Sequence, residues 1–266
     1  MPQICRFHAT FLIAAPSCLL TDYQVLTVLD GKSLENPRVI RVLRNGPYLV
    51  SGKTSLFDAT IKCDSQGIPE QRLLGEPMAT VERYILCRCG QSKTKPFCDG
   101  THAKVNFDGT EASDNTPYLQ MAKVIEGPTL RLLDAEILCA SARFCHRGGD
   151  IWPQIPKSDD PVLKQNATRN ACDCPSGRLT VIDKEANRRV EPPLDRSIGL
   201  IKDPSIGVDG PLWVRGGIPV YSAEGKLYEV RNRVTLCRCG KSTNKPFCDS
   251  SHYPEEYQEV TEDEQK

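Results

Sequence analysis

Net charge is the first thing this sequence lacks. Its 34 Lys plus Arg balance 34 Asp plus Glu, so no charge excess marks a nucleic-acid backbone or an anionic membrane as a partner. Long apolar runs are missing as well: none approaches the ~18 residues that a membrane helix needs, which predicts a soluble chain without a membrane span. Aromatic residues are scarce, at 6%, beside 20 prolines and 19 glycines. That mixture predicts short elements joined by many turns, with small cores that gain from cross-linking by metal centres. No phosphate-cradling loop, nucleophile with its base, or pair of catalytic carboxylates can be singled out, so catalysis is not expected.

What the chain does have is cysteine. Thirteen are spread over 266 residues, an odd number, and most sit in tight clusters rather than at the wide spacings of a disulfide framework. Clustered thiolates in a reducing compartment, cytosol first and mitochondrial matrix second, fit that pattern. The opening MPQICRFHATFLIAAPSCLL has no acidic group but only one Lys or Arg, and Pro16 interrupts its apolar run. A presequence and a frayed, disordered terminus both fit.

Leu86 to His102 reads LCRCGQSKTKPFCDGTH, and Leu236 to His252 reads LCRCGKSTNKPFCDSSH, with 12 of 17 positions identical at an offset of 150. Each copy is preceded by a related segment, NGPYLVSG from Asn45 and DGPLWVRG from Asp209, which reads as a turn followed by a strand. Pro47 lies 40 residues before Cys87 and Pro211 lies 26 before Cys237, so the first unit carries 14 extra residues around Cys63. They are expected to form a surface loop. Phe107 and Tyr257 each stand five residues after a motif histidine, where a shared packing role is expected.

Within a copy the metal-binding types fall as CxC, eight residues, C, three residues, H: Cys87, Cys89, Cys98 and His102, then Cys237, Cys239, Cys248 and His252. Four such ligands can hold one tetrahedral zinc. Common structural zinc pairs, however, are separated by two to four residues, whereas CxC lies along an extended strand. Two sulfide-bridged irons need two protein ligands each, and a CxC pair with a Cys/His pair fits that requirement.

The motif CxCxxSxxxPxCDGTH, with Ser92, Pro96, Cys98, Asp99, Gly100, Thr101 and His102, resembles the signature of the CDGSH iron–sulfur family, mitoNEET and its relatives. The second copy matches at Ser242, Pro246, Cys248, Asp249 and His252, but Ser250 stands where the motif has glycine, so an altered second site is expected if that glycine supplies a positive φ. The resemblance implies a [2Fe-2S] cluster with three thiolates and one imidazole per unit, used for electron transfer or cluster transfer to an unidentified redox or acceptor protein. An imidazole in place of a thiolate raises the potential and makes the site acid-sensitive. Asp99 and Asp249 are read as N-caps of short helices that aim a positive end at the cluster. Arg88, Arg238, Lys95 and Lys245 would bond cluster sulfurs, form a docking face, or simply be solvated.

Between the copies, CASARFC at Cys139 to Cys145 and CDCPSGRL from Cys172 resemble divergent single-cluster ferredoxins, with Cys139, Cys145 and Cys174 as the matching ligands. Three thiolates suit a [3Fe-4S] cluster, and a [4Fe-4S] cluster needs a fourth donor, for which Cys172 and His146 are nearby. A degenerate domain without a cluster is the alternative. Cys5, Cys18 and Cys63 receive no role.

The expected fold is α+β and β-rich: two small CDGSH-type β units with short helices after the ligand loops, packed as an internal pseudo-dimer in a monomer, plus a small ferredoxin-like insert. The divisions are an N-terminal segment 1–20, a first unit 21–125, the ferredoxin-like segment 126–190, a second unit 191–254 and an acidic, disordered tail 255–266. A zinc-binding structural or interaction protein and an electron-feeding component of an enzyme are the alternatives. His102→Cys is expected to slow acid bleaching of its cluster and lower its potential, read from visible absorbance and a redox titration.

Overall fold

The structure is a computed structural model that describes residues 37–254. Cys5, Cys18, Tyr257, the N-terminal segment and the acidic tail lie outside the described residues.

The first half begins with β1 (Val39–Val42), β2 (Tyr48–Ser51), β3 (Ser55–Cys63), β4 (Pro69–Leu74) and β5 (Arg83–Leu86), followed by a one-turn helix α1 (Thr101–Lys104). The middle contains α2 (Tyr118–Met121), β6 (Lys123–Glu126), β7 (Leu130–Asp134), α3 (Pro161–Asp173), β8 (Leu179–Asp183) and β9 (Arg188–Val190). The second half adds β10 (Ser197–Asp203), β11 (Val208–Arg215), β12 (Val220–Tyr221) and β13 (Arg233–Leu236).

Two sheets mix strands of both halves. One runs β12-β1-β2-β5 and the other β13-β11-β10-β3-β4. Exchanging β1 for β10, β2 for β11, β3 for β12 and β5 for β13 converts one order into the other, with β4 left over. Each half lends a strand to the other's sheet, and these are the parallel pairings: β12 on β1 at Ile40↔Val220, and β3 on β10 from Ser197↔Ser55 to Lys202↔Thr60.

A single apolar core lies beneath both sheets. Ile40, Val42, Tyr48, Val50, Leu56, Tyr84 and Leu86 meet Ile198, Leu200, Leu212, Val214, Val220, Val234 and Leu236. In β2 burial alternates, as a strand with one covered face requires. β10 and β11 are buried almost continuously because their other face is covered by Ala142 and Phe144, which pack with Phe57, Ala59, Ile201 and Trp213.

The middle segment is a four-stranded antiparallel sheet, β6-β7-β8-β9, with α3 laid on it. Ala167 and Ala171 face Leu130, Leu132, Leu179 and Val181. Asp160 caps the helix by accepting from Val162 N at 2.7 Å and Leu163 N at 3.2 Å, and Pro161 occupies the first turn, where its missing N–H costs nothing. At the other end Arg233 of β13 donates to the carbonyls of Ala171 (2.7 Å), Cys172 (2.9 Å) and Cys174 (2.7 Å). That guanidinium satisfies carbonyls the helix leaves open.

Two expectations need correction. The 14 extra residues are not a loop: they lengthen β3 and add β4, joined by a turn in which Asp64 Oδ1 accepts from Gln66 N (2.8 Å) and Ile68 N (2.9 Å). This hairpin seats the middle segment. Arg72 lies between the rings of Phe144 (4.6 Å) and Trp213 (4.1 Å) and donates to Asp173 O at 2.8 Å. Carbonyls of Glu70 and Gly67 accept from Arg147 (2.9 Å), Arg169 (3.1 Å) and Arg143 (2.7 Å). Secondly, only the first ligand loop is followed by a helix. After the second the chain makes a turn at Ser251 and His252.

Arg72→Ala is expected to cost about 3 kcal/mol in urea unfolding, from two desolvated ring contacts and a charged hydrogen bond. Arg72→Lys should recover only part of it, because an ammonium cannot stack between two rings.

Candidate metal centres

Each ligand loop is a folded-back strip held by its own motif residues. Leu86 bridges Phe97, and Leu236 bridges Phe247. Cys87 N donates to Pro96 O (2.8 Å) and Cys98 N to Ile85 O (3.1 Å), with Cys237 N to Pro246 O (2.9 Å) and Cys248 N to Thr235 O (2.9 Å) in the second copy. Ser92 Oγ donates to Phe97 O at 2.6 Å and Ser242 Oγ to Phe247 O at 2.7 Å. The loop phenylalanines anchor the strip edge-on to Tyr84 (6.2 Å) and Tyr228 (5.2 Å).

The folding-back brings the candidate ligands together in pairs. Cys87 and Cys89 Sγ atoms are 3.8 Å apart, and Cys98 Sγ lies 3.3 Å from His102 Nδ1. The second copy gives 3.6 Å and 3.4 Å. Among the described residues no group of three or more His, Cys, Asp or Glu converges as one metal ion requires. Backbone N–H groups point at the sulfurs: Gln91 N to Cys89 (3.4 Å), Gly100 N to Cys98 (3.5 Å) and Lys241 N to Cys239 (3.5 Å). The hydrogen bond from Cys239, then backbone N–H groups, push the Cys237 thiol down to about 6. Paired donors bathed in N–H groups fit a two-metal, anionic group.

The neighbouring polar residues do other work than expected. Asp99 is not the helix cap, which is Gly100. Its carboxylate instead ties the loop by accepting from Lys93 N (2.9 Å) and Thr101 N (3.0 Å), and these bonds hold it well below the usual carboxylate range. Asp249 does the same with Thr243 N (2.7 Å) and Ser251 N (3.1 Å). Arg88 and Arg238 are neither solvated nor on the sulfurs. Arg88 donates to Leu43 O (3.1 Å) and Gly109 O, and its guanidinium lies 5.5 Å from the Phe107 ring. Arg238 donates to Gly210 O (2.6 Å) and Ile201 O (2.9 Å). Lys245 Nζ reaches Ser242 O at 2.7 Å, and Lys95 is exposed.

In the middle segment Cys139, Cys145 and Cys174 line one cavity, enclosed with Phe144, Pro175 and Arg178. Burial, then the neighbouring Cys174 and Cys139, push the Cys145 thiol far above its usual range. The two further candidates turn elsewhere: Cys172 Sγ faces Val190 O (3.8 Å), and His146 Nδ1 is paired with Asp150 at 2.7 Å. Cys63 stands apart, 3.4 Å from Ser205 Oγ.

Against protein-family models, residues 45–103 and 209–253 match the iron-binding zinc finger CDGSH type, and residues 125–184 match the divergent 4Fe-4S mono-cluster family. The chain is an iron–sulfur protein with two CDGSH-type units. Comparison with curated proteins and with solved structures gave no match.

The two CDGSH-type units are in direct contact through their ligand loops. Gly90 (φ 74°) and Gly240 (φ 82°) each press on the other unit: a Cβ on Gly90 would lie 2.4 Å from Cys239 O, and one on Gly240 2.6 Å from Cys89 O. Sequence reading missed this pair, although a glycine after each CxC was visible. It also missed Tyr48, whose hydroxyl crosses to donate to Cys237 O (2.7 Å) and approaches Pro246 O (3.1 Å). The equivalent residue in the second unit is Leu212, which has no hydroxyl. The second site is also more enclosed, and burial, then Arg238, push His252 down to about 4.

Ser250 is not a distortion. It takes φ 73° where Gly100 takes 84°, so the loop path is kept. Gly90→Ala is expected to strip iron from both CDGSH-type units, measured as iron per chain. Gly67→Ala bears the same left-handed strain, ~1–2 kcal/mol, but meets nothing within 4 Å and should retain iron.

Proposed function

We propose that the protein is an electron carrier holding one [2Fe-2S] cluster in each CDGSH-type unit, through Cys87, Cys89, Cys98 and His102 and through Cys237, Cys239, Cys248 and His252. The observation that carries this reading is the pairing of donors, two and two in each loop, which suits two tetrahedral irons better than one zinc. When bound, such a cluster supplies one-electron redox chemistry, and its single imidazole raises the potential above that of an all-cysteine site. The chain's own part is to fix the four donors, surround the sulfurs with N–H groups and shelter the second site from water.

In the middle segment Cys139, Cys145 and Cys174 are proposed to hold a third cluster. Three thiols sharing one cavity suit a [3Fe-4S] cluster, and a [4Fe-4S] cluster would need a donor other than Cys172 or His146. The units 21–125 and 191–254 are read as an internal pseudo-dimer around the segment 126–190, supported by the strand exchanged in each direction, and the chain as a monomer. Its partner is read as a redox protein in a reducing compartment, and no small-molecule turnover is assigned to it. The eleven described cysteines are all free, and no described helix is long and apolar enough to cross a membrane. Cluster transfer is the second reading, favoured at the first site because Thr94, Lys95 and Asp99 of its loop are exposed, whereas Asn244, Lys245 and Asp249 of the second are buried or partly buried.

Anaerobically purified protein should be coloured, with iron and labile sulfide near two of each per CDGSH-type unit. Colourless protein with about two zinc ions would sink the reading. A chelator should bleach the first site before the second. Cys145→Ser should remove only the iron in excess of the two [2Fe-2S] clusters.

A further inference from the structure

Ser250 is where the second ligand loop departs from its motif, and it is also where that loop touches the middle segment. Its Oγ donates to Cys139 O at 3.0 Å and accepts from Ser141 Oγ at 2.7 Å. Its backbone N–H is hydrogen-bonded to Cys248 Sγ. One residue thus contacts a candidate ligand of the second site through its amide and the backbone of a candidate ligand of the middle cavity through its side chain. The route runs from Cys248 Sγ to Ser250 N, along Cα, Cβ and Oγ, across to Cys139 O, and through the Cys139 backbone to Cys139 Sγ. It is covalent except for two hydrogen bonds.

The surroundings hold this junction in place. Ser141 (φ 46°) and Arg143 (φ 58°) are both left-handed without being glycine, a conformation that persists only when neighbours enforce it. The neighbours here belong to the CDGSH-type units: Ser250 holds Ser141, while Gly67 O (2.7 Å), Asp203 and Ser205 Oγ (3.0 Å) hold Arg143. In the first unit nothing lies within 4 Å of where a side chain on Gly100 would begin.

We propose that Ser250 is an electron-transfer junction joining the second CDGSH-type site to the middle site, so that an electron entering one reaches the other without leaving the chain. One electron leaves the reduced centre at one site and enters the oxidised centre at the other, with no proton or atom transferred. An external one-electron donor supplies the electron. The inference rests on the reading that both sites hold clusters.

Ser250→Gly tests it, because glycine keeps the amide and the left-handed backbone and removes only the hydroxyl. Cluster content is measured first, as iron and labile sulfide. Protein with all sites filled is then given less than one electron per chain from a photoreduced flavin, and rapid-freeze EPR follows redistribution between the two kinds of centre. The expected result is redistribution slowed several-fold in Ser250→Gly, with cluster content and potentials unchanged, and no change in the redistribution rate from Gly100→Ser. Full occupancy with an unchanged rate overturns the junction alone. Wild-type protein with an empty middle site overturns both the junction and the three-cluster reading beneath it.

Discussion

The molecule is organised around one close approach, the backbone of each ligand loop lying on the other. Only glycine allows it: at Gly90 and Gly240 a β-carbon would overlap the facing cysteine carbonyl. Such proximity is enforced from below. The exchanged strands enforce it. β3 and β12 each lie in the opposite sheet, so the loops at the ends of β5 and β13 are fixed over one common core. Neither sheet is complete within its own half of the chain.

Beside the cysteine loops, charge is handled by buried arginine. Arg88, Arg233 and Arg238 lie close to the cysteine loops, and their donors are taken up largely by backbone carbonyls. Arg233 adds Glu191 at 2.9 Å. The Arg233 guanidinium, with every nitrogen hydrogen-bonded, favours the thiolate of the nearby Cys172. The middle segment is tied in by the same means. Arg72, Arg143 and Arg147 cross the boundary between it and the second sheet, stacked on aromatic rings or bound to carbonyls.

The eight candidate donors of the CDGSH-type units can be named from the sequence because a repeat of 12 identical positions exposes what local chemistry demands. The role of Asp99 was misjudged for an understandable reason: an aspartate before a short helix is usually a cap, whereas here it bridges two turns of one loop. A length difference of 14 residues between the copies shows an insertion but not its structure, so the hairpin of β3 and β4 reads in the sequence as a loop. Tyr48 and the strand exchange were not legible at all. Both depend on which distant segment lies opposite, and no local pattern encodes that. The resemblance to divergent single-cluster ferredoxins names the three middle cysteines, but only the fold shows that Cys172 and His146 turn away from their cavity.

The tandem arrangement has a consequence for how the two sites can differ. In a symmetric dimer of identical chains every substitution is made twice, so a change that improves one site is imposed equally on the other. Here the hydroxyl of Tyr48 reaches one loop while Leu212 offers none in return, and Ser250 bonds the middle segment where Gly100 has no side chain to do so. Carrying both sites in one chain makes them two addresses, each free to have its own neighbours.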